Sequence, residues 1–446
     1  ESLALLNRTS NYRYSLFSLF TYNMTPDEYC DLSRYEMADL YLDLAKTLYE
    51  AGATVQRVTD SVRWLAGELG DTNVHIFVGY ETIELSILHH DHIESRLYVI
   101  REPFKVNIAV LHQVSLLLHR IASYQGDICA IRAEILRIQN GKPIYPPLLI
   151  FFLTSIACAS FGWLNHADIS SLFIIGISTF CALSIKFRYG KRLNNIYLST
   201  LVTAFTGGLF AAILSRIIPT TTPEVALISS VLFLIPGFLL IDGGLDIIRD
   251  HTSCGIVRLV SASTHICIIS GSLLIPLGLL GTVVHANETT PDLLFSILTM
   301  SIAAGIAASG FALLFNTPLF VLPGCILCGM AGRMAREIGA LFGLDTFFCI
   351  FFGMVVATII AAYYGRLTHV PGVFIAVIAG ITMIPGLAMI KGLHGLFAIA
   401  HTGTILSETM VMYSLQQCLY AGVVAFILIA GIIIPSLVIY PTTPRV

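Results

Sequence analysis

Two hydrophobic rhythms divide the chain near residue 143. In the N-terminal quarter Met37, Leu40, Tyr41, Leu44 and Leu48 recur at helical spacing, Gly52 interrupts, and Val55, Val58, Val62 and Leu65 resume the period up to Gly70. Such spacing places one apolar stripe on each of two amphipathic helices. Ile83, Leu85 and Ile87 then alternate with Glu84 and Ser86, and Leu97 to Ile100 form a second β-rich run, which predicts a hairpin across His89 to Glu94. Ile108, Leu111, Val114, Leu118 and Ile121 restore the helical period, and a last helix from Asp127 ends at Asn140-Gly141. The pattern predicts an α+β domain over residues 27–142 behind a tail, 1–26, in which Met24 would make a natural start.

Beyond Pro143, Pro146 and Pro147 the rhythm changes to long apolar runs of about 17–25 residues, enough to cross a hydrocarbon core of ~30 Å. About ten spans are expected, near 147–165, 169–186, 196–218, 224–241 and 256–284, then 293–315, 317–333, 346–364, 371–390 and 409–439. The polar stretch from His285 to Asp292 separates two groups of five, residues 143–285 and 286–446.

Composition agrees with a membrane solvent. The chain is 56% hydrophobic and 12% charged, with a mean hydropathy of +0.80, whereas soluble domains use about 25% charged residues. Roughly half of the charges fall within 27–142, as an aqueous domain requires. The net charge is only −3, and no Lys/Arg run is interleaved with aromatics, which excludes a nucleic-acid partner. Lys142, Lys186, Arg188, Lys191 and Arg192 flank the first two spans on one side, so the positive-inside rule makes the N-terminal domain cytoplasmic. Arg333 and Arg336, in the loop expected after the seventh span, run against that rule, since they would face outward if every span is real.

The strongest signal is a repeated phrase. Residues 235–243 read IPGFLLIDG and residues 384–392 read IPGLAMIKG, each late in the fourth span of its half and each followed by a His-Thr pair, at His251 and His401. Five spans per half make the halves an inverted-topology repeat if they share a fold. In such transporters Pro/Gly-interrupted helices at matching positions build the substrate site near the midplane. Half-helices starting at Phe238 and Leu387 would offer free N–H groups to a carboxylate. The expected substrate residues are Pro236, Gly237, Asp242, Asp246, Arg258, Pro385, Gly386 and Lys391, with Asp246, His251 and Glu408 as proton-coupling groups. Against this stand simple proline kinks, an exposed helix end at Asp242 and Asp246, and a snorkelling Lys391.

These residues resemble the threonine/serine exporter family. The likeness is carried by Leu48 to Gly70 (LYEAGATVQRVTDSVRWLAGELG), Ser230 to Arg258 (SVLFLIPGFLLIDGGLDIIRDHTSCGIVR), Gly310 to Pro318 (GFALLFNTP) and Ala379 to Gly392 (AGITMIPGLAMIKG). It implies an α-helical polytopic membrane protein of about ten spans in a bacterial inner membrane. It also implies export of threonine or serine, or of a small dicarboxylate such as succinate, and coupling to protons. In some members the halves are separate chains; here they are fused. The acidic pair Asp242/Asp246 favours an amino acid over a dicarboxylate.

Other chemistry is weaker. His89, His90 and His92 lack partners at zinc spacing, and the Cys325/Cys328 pair falls inside an apolar span, so neither a metal nor a cofactor is expected. The N-terminal domain shows no nucleophile–base constellation or phosphate loop, so no enzyme is expected. Ser301, Gly305 and Ser309 form a small-residue ladder, as do Gly208 and Ala212; these would pack the halves together or support a homo-oligomer.

Overall fold

The computed structural model describes residues 26–71, 73–89, 92–100, 105–124, 127–193, 195–280, 293–402 and 408–439. The tail before residue 26 and the polar divider at 281–292 lie outside them. The N-terminal part contains α1 (Pro26–Glu50), α2 (Val55–Glu68), β1 (Val74–Val78), β2 (Thr82–His89), β3 (His92–Val99), α3 (Ile108–His119) and α4 (Ile128–Gln139). Leu40, Tyr41, Leu44, Leu48, Val58, Val62, Leu65 and Ile83 are fully buried together, the stripes that the helical period marks. The sheet is antiparallel in the order β1-β2-β3, pairing Ile76 with Leu85 and Leu85 with Arg96. The expected hairpin is present. β1 is an addition, unread because its neighbours do not alternate cleanly. Asp127 and Asn107 cap α4 and α3 through their side-chain oxygens, satisfying N–H groups that a helix start leaves unpaired.

The remainder is helical: α5 (Pro147–Leu164), α6 (Ile169–Tyr189), α7 (Ile196–Ile217), α8 (Pro223–Ser229), α9 (Gly237–Ile248), α10 (Thr252–Ser272), α11 (Leu274–Leu280), α12 (Leu293–Leu314), α13 (Leu322–Leu341), α14 (Thr346–Thr368), α15 (Gly372–Ile381), α16 (Gly386–Thr402) and α17 (Glu408–Ile439). Among the described residues seven helices are long and apolar enough to cross a membrane. Two bent pairs raise this to nine: Pro223–Leu234 with Gly237–Ile248, turning by 58°, and Gly372–Ile381 with Gly386–Phe397, turning by 53°. The chain is a multi-pass membrane protein.

Two expected boundaries move. The fourth span runs on to Ile248, which takes Asp242 and Asp246 inside a helix where both are fully buried rather than at an exposed end. The seventh is α13, which continues to Leu341. Arg333 and Arg336 therefore sit on a helix and not in a loop, and Arg333 Nε bonds Glu337 Oε1 at 2.7 Å. These charges leave α13 too polar to pass as a span by hydropathy, yet it packs along both α12 and α14. Cys325 and Cys328 are buried free thiols on this helix. The small-residue ladders serve contacts within each half: a side chain at Gly305 would strike Met330 of α13, and one at Gly208 would strike Leu273 and Pro276. The halves meet along α5 and α12, with Gly310 against Ala157 and the Leu153 carbonyl, and again around the two bends.

Candidate functional site

Both bends are built by the same local chemistry. Proline cannot donate the bond that would continue the helix, and at each break the glycine N–H after the proline turns back onto the carbonyl of the isoleucine before it, Gly237 to Ile235 and Gly386 to Ile384, each at 2.8 Å. Pro236, at φ −80° and ψ 62°, has the geometry of an inverse γ-turn. The half-helices α9 and α16 then start afresh. The N–H groups of Phe238, Leu239, Leu387 and Ala388 find no acceptor among the described residues, the usual state of a helix start.

The two breaks touch each other reciprocally. A Cβ at Gly237 would lie 2.9 Å from Ile384 Cδ1 and 3.1 Å from Ile381 Cγ1; one at Gly386 would lie 2.4 Å from Ile235 Cδ1 and 3.0 Å from Leu232 Cδ2. Each glycine thus admits the residues two and five places before the other glycine. Around this crossing lies a small open pocket, with a cavity volume of about 20 Å³. Leu232, Phe233, Ile235 and Gly237 line it from the first half, Phe315, Ile381, Ile384 and Gly386 from the second. The side chains that line it are apolar, and one of them, Phe315, packs edge-on against Phe238 with centroids 4.6 Å apart.

The charged residues expected at the same place are elsewhere. Asp246 and Arg258, both 0% exposed, form an ion pair between Oδ2 and Nη1 at 2.9 Å. The N-terminal part completes their shell: the Val55 N–H donates to Asp246 Oδ1 at 3.0 Å, and Arg258 Nη2 donates to the Ala53 carbonyl at 3.0 Å. The guanidinium also lies 5.2 Å from the centre of the Tyr49 ring. Burial raises the Tyr49 phenol above its ordinary range, although Arg258 pulls the other way. Asp242 is also fully buried, but neither carboxyl oxygen has a hydrogen-bond partner among the described residues. His251 starts α10, and its Nε2 meets Gln56 Oε1 at 3.0 Å. Lys391 is half-buried on α16, with Glu224 as its nearest acidic neighbour. The side chain of Glu408, and that of His401, lie outside the described residues.

Sequence reasoning missed the N-terminal partners altogether. A second grip lies at the end of α12, where the Ile108 N–H donates to the Phe315 carbonyl at 3.0 Å and Asn316 Nδ2 donates to Asn107 Oδ1 at 2.9 Å. The two grips are one unit, since the Asn107 N–H bonds the Ala51 carbonyl at 3.0 Å. Gly52, at φ +90° with its Cα close against Lys105 and Val106, allows that junction. Both gripped turns end helices with a left-handed residue, Asp250 after α9 and Asn316 after α12. His251 and Thr317 then cap back onto Asp246 and Ala312. No local signal could have paired these segments. Lys186 was likewise read only as a topology marker, yet its Nζ lies 5.8 Å from the centre of the pocket-lining Phe233 ring.

Comparison with known proteins adds two family matches. A threonine/serine exporter family model covers residues 39–280, and a second, threonine/serine exporter ThrE, covers 300–438. The Escherichia coli (strain K12) protein described as "Probable succinate transporter subunit YjjP" is 29% identical over 156 residues, which span 34% of this chain and 58% of that relative. No solved structure matches.

Proposed function

Since the chain belongs to the threonine/serine exporter family, we propose that it is a secondary transporter exporting small amino acids, threonine and serine, across a bacterial inner membrane. The driving force is the proton gradient. The substrate site is the pair of broken helices, and the observation that carries this is their reciprocal contact around one pocket. Free N–H groups at the starts of α9 and α16 suit the carboxylate common to these substrates. The apolar side chains that line the pocket leave the substrate's side chain to apolar contacts.

The same features support two inverted five-helix repeats related by a pseudo-twofold axis in the membrane plane. Each half runs through three helices, a bent pair and a final helix. Counting α13 as a span puts the turns at 249–251, 315–321 and 369–371 on one side, and the N-terminal part contacts all three. That shared side is the cytoplasm by the charge argument, and the domain boundaries 27–142, 143–285 and 286–446 follow from it.

A dicarboxylate is the second reading, favoured by the Escherichia coli relative, described as a probable succinate transporter subunit, and by Lys186 beside the pocket. Purified protein in proteoliposomes, loaded with labelled threonine, serine or succinate and given an imposed pH gradient, separates them. Saturable, gradient-dependent flux of threonine or serine is expected. Succinate flux without amino-acid flux replaces the substrate, and no flux of any of the three overturns the transporter reading.

A further inference from the structure

Asp242 is fully buried, and neither of its carboxyl oxygens has a donor among the described residues; one helical turn away, Asp246 has an ion pair with Arg258 and a hydrogen bond from the Val55 N–H, and the same guanidinium donates to the Ala53 carbonyl. An ionised carboxylate left without a donor in a membrane interior is strongly disfavoured, as is either member of a buried pair that has lost its partner. This arrangement is therefore the one in which Asp242 is a neutral acid. The charged groups around it are Arg258 on α10, and Asp246 and Arg249 on its own helix. Of the other membrane helices packed on α9, α15 holds no titratable side chain in its sequence and the stretch of α17 near Ile429 holds none either, while the N-terminal part brings the Val55 N–H to Asp246 and the Tyr49 ring to Arg258. Arg258 is thus the one cation that another helix brings to a newly charged Asp242 among the described residues.

Resting on the transporter reading, we propose that Asp242 is the proton-exchanging carboxyl of this protein. Its ionisation draws the Arg258 guanidinium away from Asp246 and the Ala53 carbonyl, releasing the N-terminal grip. The proton passes to water and the new negative charge is taken up by Arg258. Loss of the Arg258–Ala53 bond frees the 51–55 turn and, through the bond between Ala51 and Asn107, the hold on Phe315, which walls the pocket. Protonation restores the closed form. The device links the charge of one side chain to access at the side of the pocket that the N-terminal part covers.

The test uses the full chain in lipid nanodiscs, with Cys129 and Cys267 replaced by Ser and spin labels on Glu68→Cys and Ser253→Cys, both exposed positions flanking the grip. Interspin distances are measured from mildly acid to mildly alkaline pH. The wild type should gain a long-distance population several-fold as pH rises. Asp242→Asn, and the smaller Asp242→Ser in case the amide does not fit, should stay short throughout; Asp242→Glu should restore the response. Asp246→Asn, which removes the anion that competes with Asp242 for Arg258, should show the long distance at every pH. Titration of His112, whose buried imidazole burial holds below its ordinary range, would loosen this interface toward acid and so has the opposite sign. A wild type without pH response, an acid-driven opening, a response surviving in either neutral variant, or an Asp246→Asn that behaves as wild type overturns the proposal. Flux of threonine, serine and succinate is measured on the same preparations. Opening without flux overturns the proposed function and not this inference, whereas flux without opening overturns this inference alone.

Discussion

Asp246 and Arg258 illustrate how little a residue's identity says about its partner. The ion pair engages two backbone groups of the N-terminal part, all without solvent contact. Removing one member leaves the other charged and buried. Arg258→Ala is expected to destabilise the protein by about 3–5 kcal/mol, read as a fall in the detergent-solubilised melting temperature, while the double variant with Asp246→Ala recovers part of that loss. No recovery in the double variant would mean that the two side chains act separately. Asp168 offers a second case at the far end of α5. It caps α6 through Ser171 and accepts from Thr220, Thr221 and Thr222. Burial opposes ionisation there, but the hydrogen bonds from Thr221, Ser171 and Thr220 outweigh it and hold the carboxyl well below the usual aspartate range. A depressed carboxyl contributes stability that is complete above its unfolded value and lost only as pH falls through the lower, folded one. Asp168→Ala should therefore cost about 1 kcal/mol at neutral pH, and the gap to wild type should close in strong acid, checked by melting curves across pH.

The broken helices were legible because Pro-Gly is a local instruction: the proline lacks the donor, and the glycine permits close approach wherever the chain lies. What local chemistry could not state is that each glycine is filled by an isoleucine of the other break. Gly386→Ala places a methyl 2.4 Å from Ile235 Cδ1. It is expected to cost about 1–3 kcal/mol through overpacking and to lower substrate flux more than protein yield in the membrane. Pairing it with Ile235→Val, which removes that methyl, should return much of the flux. Equal flux in Gly386→Ala and wild type would separate the crossing from transport.

Between the N-terminal part and the membrane helices, contacts reach both halves at once: Gln56 to His251 and Tyr80 to Ser261 in the first, Asn107 to Asn316 in the second. A transporter that rocks one half against the other must loosen such a bridge at some stage. A short, reducible thiol cross-linker joining Gln56→Cys to His251→Cys is expected to reduce flux to background, with recovery on adding reductant. Unimpaired flux in the cross-linked protein would show that this contact stays closed throughout the cycle.

Local pattern alone was enough to mark the apolar spans, the amphipathic helices, the hairpin and the two Pro-Gly breaks, because each rests on the periodicity or backbone chemistry of neighbouring residues. The apolar run marked α13 only as far as residue 333, because its last two turns carry charge, with Arg333 and Glu337 paired within the helix. Placement of Asp242, Asp246 and Arg258 needed the tertiary structure, since the groups that hold or fail to hold them come from segments up to 205 positions away, the separation of Arg258 from Ala53. A buried charge is governed by the donors that packing brings to it, and no spacing rule encodes which distant backbone will supply them.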